Sequence, residues 1–183
     1  MRNLNHLLIL ISIMLLSSLA QPILAQENDF IKEYLERLES SRKYLVLVAE
    51  TMPEENYDFK ATPESMSFAE HLMHIGWAMD WHSQSLIGGR EARDWNTDTE
   101  LQVGNKTKEE MIGKIDKTFD ETIKFISSFE ISGLDERLDY FGSDRIKRQI
   151  LLLLADHITH HRGQMLVYMR LNGLNPPRYV LYQ

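Results

Sequence analysis

The sequence predicts an all-α protein, a four-helix bundle, and three observations support this prediction. Apolar residues recur at helical spacing in four long segments. Two of these segments open with a capping box, in which Ser or Thr is followed three residues later by Glu. No alternation of strand and helix patterns, internal repeat or low-complexity tract accompanies them. Four helices packed around one apolar core account for this pattern best.

The first two predicted helices are separated by a polar connection. An amphipathic pattern covers residues 29 to about 52, and Pro53 ends it. The segment that follows is polar and has no apolar period. Ser67 and Glu70 then form a capping box, which opens a helix that we expect to end at Gly88–Gly89.

The third helix follows a segment with little pattern. Residues 90–106 carry no clear period, which is typical of a loop. Thr107 and Glu110 form the second capping box, and apolar residues recur at helical spacing after it. Ser132–Gly133 breaks the chain, so the third helix should end before that point.

The fourth helix is the longest apolar-rich segment of the chain. The stretch before it, up to Gly142, is compatible with an extended segment or a turn. From about Asp144 a helical pattern continues to Gly173, and two prolines follow that glycine. Both of these are stop signals for a helix.

The N-terminal residues have the pattern of a secretory leader. Arg2 precedes an uncharged stretch, and Leu7–Leu19 is an apolar run too short to span a membrane. Ala25 supplies a small residue at the expected cleavage point. We therefore predict a signal peptide over 1–25, a bundle domain over 26–183, and a periplasmic or secreted protein. The alternative is an uncleaved leader that acts as an N-terminal anchor.

Charge and cysteine content exclude several functions. Without the leader, 19 Lys and Arg stand against 27 Asp and Glu, a net charge of −8. This acidic balance argues against nucleic acid as a partner, because phosphate binding needs basic side chains. The chain has no cysteine, which excludes disulfides, thiolate metal sites and a cysteine nucleophile. Any metal must be bound by His, Asp or Glu.

Histidine placement is the most informative feature of the sequence. Seven histidines are present, and the six that follow the leader fall on two predicted helices. His157 and His161 are four residues apart in the fourth helix, which places their side chains about 40° apart on one face. The apolar residues of that face should point it into the bundle. This spacing lets one helix offer two imidazoles to one metal.

A third ligand would come from the second helix, which carries His71 and His74. His74 lies in the middle of the helix, one turn from Trp77, where we expect burial, whereas His71 is nearer the cap and solvent. Three imidazoles leave coordination positions open, as in catalytic zinc sites, and they suit Zn, Ni, Cu or Fe. Ordinary helix histidines that bind no metal remain the alternative reading of the spacing alone.

The neighbours of these histidines have structural explanations. The large side chains nearby are expected to be core residues, although they could line a pocket: Trp77, Trp81, Met165 and Tyr168. The other helix histidines are expected at the surface: His71, His82 and His160. Glu70 should serve the capping box, and Asp156 should lie away from the metal-facing side. Arg162 and Gln164 could contact a substrate anion or a metal-bound water, and Arg162 equally suits a solvated face.

Several motifs taken together resemble the DinB or YfiT-like family of metal-dependent enzymes. The resemblance covers nearly the whole chain after the leader and rests on Met52–Glu55, Tyr57–Lys60, Pro63, Ser67–Ile75 and His157–Gln164. It implies a four-helix bundle with up-down-down-up topology. It also implies that His74, His157 and His161 bind a divalent metal ion, for which zinc and nickel are the first choices. Some members of that family are similar to transferases that use bacillithiol, mycothiol or glutathione.

The predicted function follows from the histidines and the resemblance together. We expect an exported metalloenzyme that activates water or a low-molecular-weight thiol for reaction with a small-molecule substrate. The resemblance favours a thiol-dependent transferase, and the compartment favours a hydrolase. The alternative is a bundle that binds a metal or a small ligand without catalysis. No membrane span is expected after cleavage, and a homodimer is compatible with the sequence.

Overall fold

Residues 29–179 are described by the structure, a computed structural model. The predicted signal peptide therefore lies outside the described residues. Four helices occur within 29–179: α1 over 29–51, α2 over Phe68–Asp80, α3 over Lys108–Ser127 and α4 over Lys147–Leu171. None of the helices in that part of the chain is both long and apolar enough to cross a membrane.

Both predicted capping boxes are present. At the start of α2 the backbone N–H of Glu70 donates to Ser67 Oγ at 3.1 Å, and the backbone N–H of Ser67 donates to the Glu70 carboxylate at 2.6 Å. Thr107 and Glu110 make the same reciprocal pair at α3. Each box satisfies two backbone donors that the helix cannot pair internally. Glu70 is thus the cap partner that the sequence predicted.

The second helix continues beyond α2 in a π-helical segment, Trp81–Ile87, and Gly88 follows it. This agrees with the predicted end at the glycine pair. A π-helical turn holds one residue more than an α-helical turn, and such turns often occur at functional sites. This segment carries Trp81 and His82 and packs against both α3 and α4.

A β-hairpin precedes α4 and shortens the predicted helix. Strands β1 (Arg137–Tyr140) and β2 (Ser143–Ile146) pair antiparallel, so α4 begins at Lys147 and not near Asp144. Phe141 and Gly142 link the strands with φ angles of 52° and 77°, the backbone of a two-residue hairpin turn. Of the two possibilities left open before Gly142, the extended one is confirmed.

The core is formed by apolar side chains from all four helices. Fully buried examples are Leu45 and Val48 in α1, Leu72 and Met79 in α2, Ile115 and Phe119 in α3, and Leu154 and Met165 in α4. The hydroxyl of Tyr34 donates to the carbonyl of Leu151 at 2.7 Å and connects α1 to α4 inside the core. Helix α2 packs against both α3 and α4. The all-α bundle prediction is confirmed, with one small hairpin added.

Candidate metal centre

Three histidines from two helices meet inside the bundle. His74 lies on α2, and His157 and His161 lie on α4. One ring nitrogen from each lies within 4.8 Å of the other two. The ring centroids are 4.5 Å apart for His157 and His161, 4.6 Å for His74 and His161, and 5.0 Å for His74 and His157. The structure thus brings together the three residues that the family resemblance implied as metal ligands.

The donor set of this cluster fits a metal ion. Nδ1 of His74 and Nε2 of His157 are buried and have no hydrogen-bond partner among the described residues. Leaving buried polar atoms unpaired costs free energy, so such atoms are rare unless something else satisfies them. A divalent metal accepts neutral imidazole nitrogens as ligands. These three side chains could therefore hold one.

His71 is buried, contrary to the prediction that it faces solvent. It is 2% exposed, whereas His74 is only partly buried. The reason is tertiary: the backbone N–H groups of Phe68 and Ala69 donate to carbonyls of the preceding connection, which covers the first turn of α2. Sequence position relative to the cap does not reveal this cover.

The buried His71 is paired with one of the candidate ligands. Its Nδ1 lies 2.8 Å from Nδ1 of His161, so one of these nitrogens donates to the other. The Tyr168 ring packs edge-on against His71 with centroids 5.4 Å apart. Because Nδ1 of His161 is engaged in this way, Nε2 is its nitrogen available for a metal. His71 therefore holds the orientation of the His161 ring.

Burial keeps the clustered imidazoles neutral. Loss of solvation, followed by repulsion from neighbouring imidazoles, lowers the pKa of His71 to about 4, of His157 to about 4 and of His161 to about 3. Burial also lowers the pKa of His74. Neutral imidazole is the metal-binding form. At neutral pH the cluster is thus ready to bind a metal without first losing protons.

An open cleft of about 320 Å³ borders the cluster. His74 and His157 form part of its wall, and the rest is mainly aromatic: Trp77, Trp81, His82, Tyr140 and Phe141, with Ala78. The expected packing role holds for Met165 and Tyr168, which are buried in the core. Trp77 and Trp81 are only partly buried and line the cleft instead.

A loop tryptophan packs beside the cluster. Trp95 lies in the segment predicted as a loop, and its ring meets Trp77 edge-on at a centroid distance of 4.7 Å. It also reaches His74, with centroids 6.1 Å apart. The patternless segment between α2 and α3 thus contributes a side chain to the site, which the sequence pattern did not indicate.

The family follows from comparison with known proteins. The family model of the DinB superfamily matches residues 37–165, a stretch that includes all three clustered histidines. The chain belongs to the DinB superfamily. The uncharacterized protein YjoA of Bacillus subtilis (strain 168) is 26% identical over 157 residues, which cover 82% of this chain and 93% of YjoA. The uncharacterized protein YrdA of the same organism is 43% identical over 44 residues, 24% of this chain and 26% of YrdA.

Two solved DinB-like structures confirm the fold. A DinB-like protein of Bacillus cereus ATCC 10987 superposes with a TM-score of 0.63 at 23% identity and covers 82% of this chain and 95% of its own. YjoA of Bacillus subtilis superposes with a TM-score of 0.67 at 23% identity, and the match covers 82% of this chain and 99% of the YjoA chain. Both are similar to this chain in fold. The two structures support the fold, and membership in the DinB superfamily rests on the family model.

Arg162 and Asp156 make their contacts away from the cluster, whereas the ring of His160 packs edge-on against that of His161 with centroids 5.0 Å apart. Arg162 is buried, and its guanidinium packs over the rings of Tyr44 and Tyr179 at 5.2 and 5.7 Å, so the solvated-face alternative is wrong. Asp156 is exposed and pairs with Arg37 at 3.5 Å, which agrees with its predicted placement away from the cluster. His160 is exposed on α4, as predicted, and its ring lies 3.1 Å from the Gln164 amide.

His82 is also buried, although the sequence predicted it at the surface. Its Nδ1 lies 2.6 Å from the carbonyl of Ala78, so Nδ1 carries the proton and donates. Nε2 must then accept, and the hydroxyl of Tyr140 donates to it at 3.0 Å. This pair ties the β-hairpin to the second helix beside the cleft.

Replacing Tyr140 with phenylalanine should destabilise the protein. The change keeps the ring but leaves Nε2 of buried His82 without a donor, which costs about 1 to 3 kcal/mol of unfolding free energy. Urea unfolding followed by circular dichroism measures the difference. The matched control is the same substitution in a His82→Leu background, where no acceptor remains and the cost should nearly vanish. Equal costs in both backgrounds would show that the Tyr140 hydroxyl does not act through His82.

Proposed function

We propose that this DinB-superfamily protein is a metalloenzyme that acts on a small molecule, with His74, His157 and His161 as the ligands of one divalent metal. The observation that supports this most directly is the meeting of three imidazole nitrogens within 4.8 Å at the wall of an open cleft. Zinc and nickel suit an all-imidazole set.

The number of ligands favours catalysis over a purely structural role. Among residues 29–179, the cluster contains three candidate ligand side chains. Structural zinc sites usually have four protein ligands, whereas catalytic sites have three and leave a position open. The cleft lies on the side of His74 and His157 where a small molecule could approach.

The reaction we propose is the activation of water or of a low-molecular-weight thiol. A divalent metal held by these residues would act as a Lewis acid and lower the pKa of such a nucleophile. The chain itself orients the ligands through the contact between His71 and His161. Among the described side chains that line the cleft there is no carboxylate, so none is available there as a base. A thiol-dependent transferase and a hydrolase are the two reaction classes that fit.

We also propose that the protein acts outside the cytoplasm. The support is the leader pattern of residues 1–25, with the bundle domain following from residue 26. Mass spectrometry of the protein recovered from periplasm or medium should give a chain that starts at residue 26. A chain that keeps residues 1–25 and sediments with membranes would favour the anchored alternative.

Metal content and activity test the proposed function together. Full-length protein purified without a histidine tag is expected to contain about one equivalent of zinc or nickel by elemental analysis. Two assays distinguish the reaction classes: hydrolysis of p-nitrophenyl acetate, and consumption of 1-chloro-2,4-dinitrobenzene in the presence of glutathione. Activity should depend on metal and disappear in His157→Ala. Absence of stoichiometric metal from the wild type would overturn the proposal, and bound metal without either activity would favour the non-catalytic bundle.

A further inference from the structure

The cleft beside the three histidines has an aromatic wall with two separate origins. Trp77 and Trp81 come from the second helix, and Tyr140 and Phe141 come from the β-hairpin. Its volume of about 320 Å³ is within the range of small-molecule sites. The rings of the two elements touch each other, with Trp81 stacked on Phe141, and form one aromatic surface along the cleft. Such a surface suits a flat ligand group, because aromatic rings gain from stacked and edge-on contacts.

Phe141 is an exposed residue in a backbone conformation that is unfavourable for a bulky side chain. Its φ of 52° lies in the left-handed region, which Asn, Asp or Gly occupies far more readily at the first position of this hairpin turn. Its side chain is 78% exposed, and its ring stacks on Trp81 with centroids 5.2 Å apart and planes 27° apart. A strained backbone that holds an exposed aromatic ring at the mouth of a cleft points to a role in binding.

The charge of the cleft restricts the ligand further. Among the described residues that line it there is no Lys, Arg, Asp or Glu. An anionic group would find no basic side chain to pair with. A cationic group would find no carboxylate to pair with. An uncharged group is the one that this wall accepts.

We propose that this cleft binds a neutral aromatic group of the substrate and that Phe141 and Trp81 form its outer wall. The inference builds on the proposed function, because the metal centre adjoins the cleft and would act on the part of the substrate that reaches it. It adds a substrate class, a compound with an uncharged aromatic moiety, and it gives the hairpin a role in specificity.

The test uses a neutral aromatic probe, N-phenyl-1-naphthylamine, titrated into the metal-loaded full-length protein and followed by fluorescence. Phe141→Asn removes the ring and installs a residue that the turn prefers. We expect its probe affinity to fall about tenfold while its urea midpoint stays unchanged or rises. Trp81→Leu should lower the affinity similarly. Leu171→Asn is the matched control: it removes an exposed apolar side chain from the end of α4, outside the cleft, and should leave the affinity unchanged.

Three results would overturn the inference. These are no probe binding by the wild type, equal affinities of wild type and Phe141→Asn, and tighter binding of the anionic probe 1-anilinonaphthalene-8-sulfonate than of the neutral one. Metal analysis of the same samples separates this inference from the proposed function. If the protein contains metal and its probe binding does not depend on Phe141, the inference about the aromatic cleft is contradicted and the proposed function is not. Probe binding that depends on Phe141 in protein without metal would contradict the proposed function alone.

Discussion

Replacing His157 with alanine should lower the affinity of the protein for zinc by about a thousandfold. This is on the order of the part that one ligand contributes to the binding free energy of a structural zinc site. His157 is one of three side chains whose nitrogens converge, and its Nε2 has no hydrogen-bond partner in the part of the chain that the structure describes. No adjacent carboxylate or cysteine in this cluster can take its place. Competition with a chromogenic chelator at neutral pH measures the change.

Matched histidine variants make this result specific. His74→Ala should match His157→Ala, whereas His160→Ala, on the exposed side of α4, should keep wild-type affinity. The zinc affinity of His71→Ala should lie between those of His157→Ala and His160→Ala, about 10- to 100-fold below the wild type, because the change removes the partner that orients His161. A larger loss in His71→Ala than in His74→Ala would assign the α2 ligand to His71. Unchanged affinity in His157→Ala would contradict the metal centre.

The metal-free protein should lose stability as the pH falls from 7 to 5. Burial depresses the pKa of His71 and His157 to about 4 and of His161 to about 3, below the ordinary value of 6.5. In this window the unfolded chain takes up protons that the folded chain excludes, so stability is full above pH 6.5 and declines below it. Each imidazole that stays neutral in the folded protein contributes about 2 kcal/mol to the decline.

Urea unfolding at a series of pH values checks this expectation. Most carboxylates stay ionised between pH 7 and pH 5, so the window reports mainly on histidine. His71→Leu should reduce the slope of the unfolding free energy against pH by about the contribution of one proton. The reason is that it removes one buried imidazole and puts an apolar side chain in its place. A midpoint that is constant from pH 7 to pH 5, or a slope unaffected by His71→Leu, would contradict the neutral cluster.

Local chemistry explains what the sequence predicted well. The starts of α2 and α3 follow from hydrogen bonds between residues three apart, Ser67 with Glu70 and Thr107 with Glu110, which need no tertiary information. The pairing of His157 with His161 follows from the helical period alone. The third ligand required the family resemblance, because spacing left both His71 and His74 possible.

Long-range packing explains what the sequence missed. His71 is buried because the connection before α2 folds over its first turn, and His82 is buried where Tyr140, 58 residues later, packs against it and donates to it. The hairpin was hidden by Phe141, since a bulky residue at positive φ replaces the Asn or Asp that normally marks such a turn. The packing of the hairpin against α4 also depends on contacts that no local pattern contains.

The direct passage of the hairpin into α4 has a consequence for how a ligand would enter. Strand β2 ends at Ile146 and the helix begins at Lys147, so no linker separates them. The backbone N–H groups of Lys147 and Arg148 donate to the carbonyls of Glu136 and Leu134, which fixes both ends of the hairpin to the helix start. The hairpin therefore cannot swing as an independent lid. A ligand would meet walls already in place, and its affinity would lose little to the ordering of the protein.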